Sequence, residues 1–109
     1  MKGNKMKAAK RKRLERAGWK FGDASEFLAM TPEEKKYVEL KLHLADVLEN
    51  RRKAEGLTQK ALAERLKSSQ SRVAFMEKGV SVSVDLILRA LFALGMSQKE
   101  VAKQIAVAG

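Results

Sequence analysis

Five times between residues 31 and 97 a serine or threonine stands directly before a short stretch whose apolar residues recur every three or four positions. The five are Thr31, Thr58, Ser69, Ser83 and Ser97. A hydroxyl in that place accepts a hydrogen bond from a backbone N–H two or three residues on, and so satisfies a donor that the first helical turn leaves without a partner. The first, third and fourth stretches run into Gly56, Gly79 and Gly95. Glycine takes the left-handed backbone conformation that commonly ends a helix. The only proline, Pro32, follows Thr31 at the first helical position, where its missing N–H is no loss. No segment of any length alternates with period two. The run VSVSV at 80–84 does so briefly, between helix signals, and is expected to be a loop. The spacing therefore predicts helices from Pro32 to about Glu55, then over 59–66, 70–78, 84–94 and 98–107, and the fold class is all-α.

The apolar positions say how these helices pack. In the first, Val38, Leu42, Ala45 and Leu48 lie on one stripe and Leu40, Leu44 and Val47 on the next, a wide face that needs neighbours on two sides. Inward residues follow as Leu62, Ala63 and Leu66, then Val73 and Met76, then Leu86, Ile87, Leu91 and Leu94, then Val101, Ala102 and Ile105. Glu34 and Glu100 stand three residues after Thr31 and Ser97, so both can complete capping boxes.

The chain has 109 residues, about one domain, and a formal charge of +10. That charge is uneven. Residues 1–20 hold nine bases and one acid, whereas the other 89 residues hold 14 bases and 12 acids. A nearly neutral domain over 31–109 thus carries a basic arm over 1–18 and, between them at 19–30, a segment with Trp19, Phe21, Phe27 and Leu28. The arm suits a polyanion, chiefly nucleic acid, or serves as a solubilising tail. The aromatic segment is expected to dock, on its own domain or on a partner. The chain contains no cysteine, which excludes disulfides and thiolate metal sites and fits a cytoplasmic location. No apolar run approaches the roughly 20 residues that span a bilayer, and none follows the first basic residues as in a secretory signal, so no membrane partner is expected. His43 is the only histidine, stands in mid-helix, and is expected at a surface or boundary. Ser68, Ser69 and Ser71 have no histidine base placed by any motif, and no paired carboxylates sit in an apolar context. Neither an enzyme nor a metal or cofactor is indicated.

The pair of short helices at 59–66 and 70–78 carries the functional signal. A B-DNA major groove is about 12 Å wide and admits one helix, which needs only two or three turns if a second helix braces it. Ala63 is small where the two helices cross, and Leu62, Leu66, Val73 and Met76 supply a shared core. On the other side, Gln70 offers a donor and an acceptor in one plane, which suits the N6 and N7 edge of adenine. Ser71 can bond to several bases. Phe75, one turn later, reaches the same groove floor and favours thymine methyls; its alternative is packing on a dimer mate or a loop. Arg72 and Lys78 lie toward the flanks and suit phosphate. Gln59 and Ser69 place polar groups at helix N-termini, where backbone N–H groups also favour phosphate.

The stretch GLTQKALAERLKSSQSRVAFMEKG, residues 56–79, followed by Ser83 to Leu94, resembles the lambda-repressor-like (Xre/Cro) helix-turn-helix family over roughly residues 38–106. The resemblance implies a five-helix DNA-binding domain, here with a basic N-terminal extension, that acts as a homodimer on a near-palindromic operator in double-stranded DNA, most often as a repressor. It assigns Gln59 to phosphate or helix-start contact and Gln70, Ser71 and Phe75 to bases. It also implies a structural ion pair between Arg52 and Glu77. Two positions depart from the family pattern: Lys67 stands where the turn usually has a glycine of positive φ, and Phe75 stands where a polar residue is common. The run from Gly22 to Gln59 is also similar to small regulators that include HigA-type antitoxins, which implies a toxin protein as an alternative partner. A bridging coactivator of the same family is a third reading. The last helix, through Val101, Ile105 and Val107, is the expected dimer seam.

Overall fold

A computed structural model describes residues 29–79 and 81–108. The expected basic arm, and the aromatic segment up to Leu28, lie outside the described residues. Among those described there are five helices and no strand: α1 Pro32–Ala54, α2 Gln59–Leu66, α3 Gln70–Lys78, α4 Val84–Ala93 and α5 Gln98–Ala108. The class expected from the spacing is the one found. Helix ends differ from expectation by one residue at α1, α4 and α5, within the ordinary latitude of a helix boundary.

Each helix begins as its hydroxyl residue dictates. Thr31 Oγ1 accepts from Glu34 N at 3.2 Å while Thr31 N donates to the Glu34 carboxylate at 2.8 Å, a closed capping box. Ser97 and Glu100 form the same box at α5, with Ser97 N donating at 2.8 Å and Glu100 N at 3.1 Å. Thr58, Ser69 and Ser83 accept from Ala61, Arg72 and Leu86 N–H groups at 3.0, 3.1 and 3.4 Å.

α1 is the central element and packs against α3, α4 and α5, while α2 packs chiefly against α3. The deepest side chains are Leu44 and Leu48 of α1, Leu62 of α2, Val73 of α3, and Ile87 and Leu91 of α4. Leu40, Val47, Leu57, Leu66 and Leu86 close the margin of this core. The wide face of α1 is thus accounted for: Leu42, Leu44, Ala45 and Leu48 are buried, and Leu40 and Val47 are half-buried beside them. His43 is half-buried, and its Nε2 is shielded from solvent with no hydrogen-bond partner among the described residues.

α5 departs from the sequence expectation. Val101 belongs to the core, so it is no part of an open seam, and Ala102 and Ile105 are exposed rather than inward. The row of α5 that turns toward the bundle is Val101, Gln104 and Ala108, buried or half-buried, which carries Ile105 and Val107 to the outside. Phe92 of α4 is also largely exposed.

Candidate nucleic-acid interface

α2 and α3 are joined by the three residues Lys67, Ser68 and Ser69. Lys67 adopts φ 56°, ψ 46°, the left-handed conformation. Ser68 N donates to Ala63 O at 2.8 Å and Lys67 N to Glu64 O at 3.1 Å. The same two bonds close α1 around Gly56 (Leu57 N to Arg52 O, Gly56 N to Lys53 O) and α4 around Gly95 (Met96 N to Leu91 O, Gly95 N to Phe92 O). Among the described residues this stop motif is seen in full at three helix ends, twice with glycine and once with lysine. A side chain in this region costs on the order of 1–2 kcal/mol, and the departure from the family pattern is absorbed as strain rather than as a different turn.

The turn aims α3. At about 100° per residue, Ser71, Phe75 and Lys78 fall within about 60° of one another and opposite the buried Val73, Met76 and Glu77. Ser71, Phe75 and Lys78 are all exposed, and the Lys78 ammonium lies 6.0 Å from the centre of the Phe75 ring. Gln70, also exposed, flanks the row on one side at the N-terminal tip, and exposed Arg72 flanks it on the other. Lys78 stands within the outward row, more central than its expected place at the flank.

Glu77 is the only acid of α3, and it is buried. Arg52 of α1 holds it in a two-pronged pair, Nε to Oε2 at 2.5 Å and a terminal nitrogen to Oε1 at 3.0 Å, with the two residues 8 % and 7 % exposed. The other terminal nitrogen of Arg52 donates to Leu57 O at 2.8 Å. Hydrogen bonding to Glu77 raises the guanidinium pKa above its already high ordinary value, against the opposing effect of burial, so Arg52 stays charged. The consequence for the outer face is electrostatic. The one carboxylate of α3 is turned inward and neutralised, and the outward surface of the helix carries only the cations Arg72 and Lys78.

Gln59, expected to face phosphate, is half-buried, and its Nε2 donates to Glu77 Oε1 at 3.0 Å. Its side chain ties the start of α2 to the end of α3. Ser69 is exposed, and its oxygen accepts from Arg72 N, so its hydroxyl proton is the part left to donate outward. Gly79 closes α3 at φ 74°, where a Cβ would lie 3.1 Å from Leu42 Cδ2 and 3.2 Å from Ala45 Cβ. Glycine lets the end of α3 approach α1 this closely without pressing on Leu42 and Ala45.

The structure thus brings Ser69, Ser71, Arg72 and Phe75 together along one wall of a surface cleft of about 450 Å³. The opposite wall is Ser81, Val82, Ser83 and Leu86, from the loop and first turn of α4. Sequence reasoning identified Ser83 as a cap and Leu86 as core, but not their place beside α3. Nothing in the local pattern signals it, because it follows from how α4 crosses the bundle. Among the described residues no group of three or more His, Asp or Glu is placed to hold a metal ion, and no helix is long and apolar enough to cross a membrane.

No curated protein and no solved structure matches the chain. Residues 43–104, from the middle of α1 to within α5, match the family model described as a helix-turn-helix domain. That span is more than half of the 109 residues and contains the whole two-helix unit with its braces. The chain belongs to this helix-turn-helix family of Xre-like DNA-binding domains.

Proposed function

We propose that the protein is a sequence-specific transcriptional regulator, acting as a repressor and a homodimer, that lays α3 in the major groove of double-stranded DNA. Gln70, Ser71 and Phe75 face base edges; Ser69, Arg72, Lys78 and the N-terminal backbone of α2 at Gln59 face phosphate. The observation that carries this reading is the one-sided build of α3. It is nine residues long, buries Val73, Met76 and Glu77, and exposes a row with no negative charge. A two-to-three-turn helix with that polarity fits a groove bounded by phosphates. The dimer is supported by the apolar side chains left outside the bundle, Phe92 on α4 and Ile105 and Val107 on α5, which are 44 %, 41 % and 65 % exposed.

Gel shifts test the proposal. The protein should bind a selected duplex in preference to a scrambled one at matched salt, with two recognition helices about 34 Å apart. Affinity should fall steeply with salt, by ~10³–10⁵ between 50 and 200 mM if six to ten phosphates are neutralised. Arg72→Ala should weaken all duplexes alike, and Gln70→Ala should relax base preference by ~1–3 kcal/mol. Ile105→Lys should separate the dimer in sedimentation. Equal binding of selected and scrambled duplexes refutes the proposal. Binding only in the company of a second protein would favour the coactivator, and neutralisation of a toxin encoded beside the gene would favour the antitoxin.

A further inference from the structure

We infer that Phe75 and Ser71 together read the C5-methyl edge of a pyrimidine, so that the protein distinguishes thymine from uracil and accepts 5-methylcytosine in its place. The inference rests on the proposal that α3 enters the major groove, and it names the chemical group read there.

Phe75 is 48 % exposed at the middle of the outward row of α3. A phenyl ring neither donates nor accepts a conventional hydrogen bond. The base edges in the major groove present the acceptors N7, O6 and O4, the donors N6 and N4, and one apolar group, the thymine C5-methyl. A ring seated on any of the polar atoms strips it of water and returns nothing. Seated on the methyl it removes apolar surface of both partners from water. Lys78 has its ammonium 6.0 Å from the ring centre, at the outer limit of a cation–π contact, which keeps a positive charge beside the ring. Ser71 lies one turn before Phe75 on the same row, and both border the same cleft. Its hydroxyl both donates and accepts. It can donate to O4 of a thymine whose methyl meets the ring, and can equally accept from N4 of a 5-methylcytosine presenting the same methyl. Uracil and unmodified cytosine offer the polar atom without the methyl. The pair therefore selects on methylation of C5 more strongly than on the identity of the pyrimidine, and cytosine methylation within a site becomes a means of raising occupancy.

The test uses the full chain and a duplex enriched by it from a random library at fixed salt. Each thymine is replaced in turn by deoxyuridine, and binding is measured by gel shift. The expected result is one thymine in each half-site whose replacement weakens binding about fourfold, the worth of one buried methyl. Unmodified cytosine there should bind more weakly than 5-methylcytosine by a similar factor. In Phe75→Ala the thymine-to-uracil ratio should fall to about one, and in Phe75→Leu it should persist. An enriched duplex that stays indifferent to every deoxyuridine replacement overturns this inference while leaving the DNA-binding proposal standing. Failure to enrich any duplex overturns both. A Phe75→Ala protein that keeps the ratio but loses self-association overturns it too, and places the ring in a protein contact. The deoxyuridine series on the unaltered protein decides the matter even if the alanine variant does not fold.

Discussion

Lys67→Gly should make this protein more stable. Lys67 holds the left-handed conformation at φ 56° in the turn before α3, with the bonding pattern that Gly56 and Gly95 support elsewhere in the chain. A side chain there costs about 1–2 kcal/mol relative to the right-handed region. Glycine removes that cost but loses about 0.5–1 kcal/mol through the greater freedom of its unfolded backbone. At mid-range values the balance is a gain of about 0.75 kcal/mol, or a Tm higher by about 3–6 °C for a domain of this size. Lys67 is exposed, so no packing is lost. Lys67→Ala is the control: it removes the ammonium while keeping a Cβ in the same strained place, and should stay within about 0.5 kcal/mol of the parent. Thermal and urea denaturation of the three proteins at one pH and salt concentration make the comparison. If alanine gains as much as glycine, the charge of Lys67 is responsible and the backbone reasoning fails. If glycine gains nothing, the turn is not strained.

Three further outcomes follow from the same geometry. Glu77→Ala, which strands a buried guanidinium and the Gln59 amide, should cost about 3–5 kcal/mol in urea unfolding; Arg52→Ala added to it should recover part of that loss, because the uncompensated buried charge is then gone. Gly79→Ala should cost about 2–4 kcal/mol, since it adds contact with Leu42 and Ala45 to an unfavourable φ; Gly56→Ala, with open space around its Cβ and only the φ to oppose it, should cost about 1–2 kcal/mol by the same assay. Finally, the hydrogen bond from Ser97 N, together with nearby Arg51 and Lys103, holds the Glu100 pKa below its ordinary 4.5 despite opposing desolvation. Because the folded pKa is the lower one, the capping box stabilises α5 fully above pH 4.5 and loses that effect as pH falls through the folded value. A carboxyl NMR titration of Glu100 with midpoint at or above 4.5 would contradict this.

The elements were legible in the sequence because each helix start is a local event. A hydroxyl before an apolar repeat caps whatever helix follows, and all five caps needed no tertiary information. Lys67 was legible only through the resemblance, which places a left-handed turn at that position; the turn is there at φ 56° without the glycine. What the sequence hid is what packing decides. Ile105 sits on the apolar side of α5 by spacing, yet the helix meets the bundle along Val101, Gln104 and Ala108, and no periodicity shows which of two adjoining rows a neighbour will choose. Gln59 has the chemistry of a phosphate ligand and stands at a helix N-terminus. Its amide turns to Glu77, eighteen residues later, because Arg52 already fixes that carboxylate within reach. Ser81 and Ser83 join the cleft beside Phe75 only through the path of α4.

The network at Glu77 links stability to recognition. Arg52 comes from α1, the Leu57 carbonyl from the turn after it, and Gln59 from the first turn of α2, and all three meet at or beside one carboxylate near the end of α3. Those bonds fix the tilt of α3 against the N-terminus of α2, and so the spacing between the outward row of α3 and the start of α2. They also remove the only negative charge α3 has from the surface it offers. An uncharged glutamine in place of Glu77 would serve the second purpose but not the first, since it accepts from Arg52 with one oxygen rather than two and leaves Gln59 to choose another partner. A buried ion pair is a weak source of net stability compared with apolar packing. Its use here is better explained by geometry, because two-pronged bonds set the direction of the helix as well as its distance from the core.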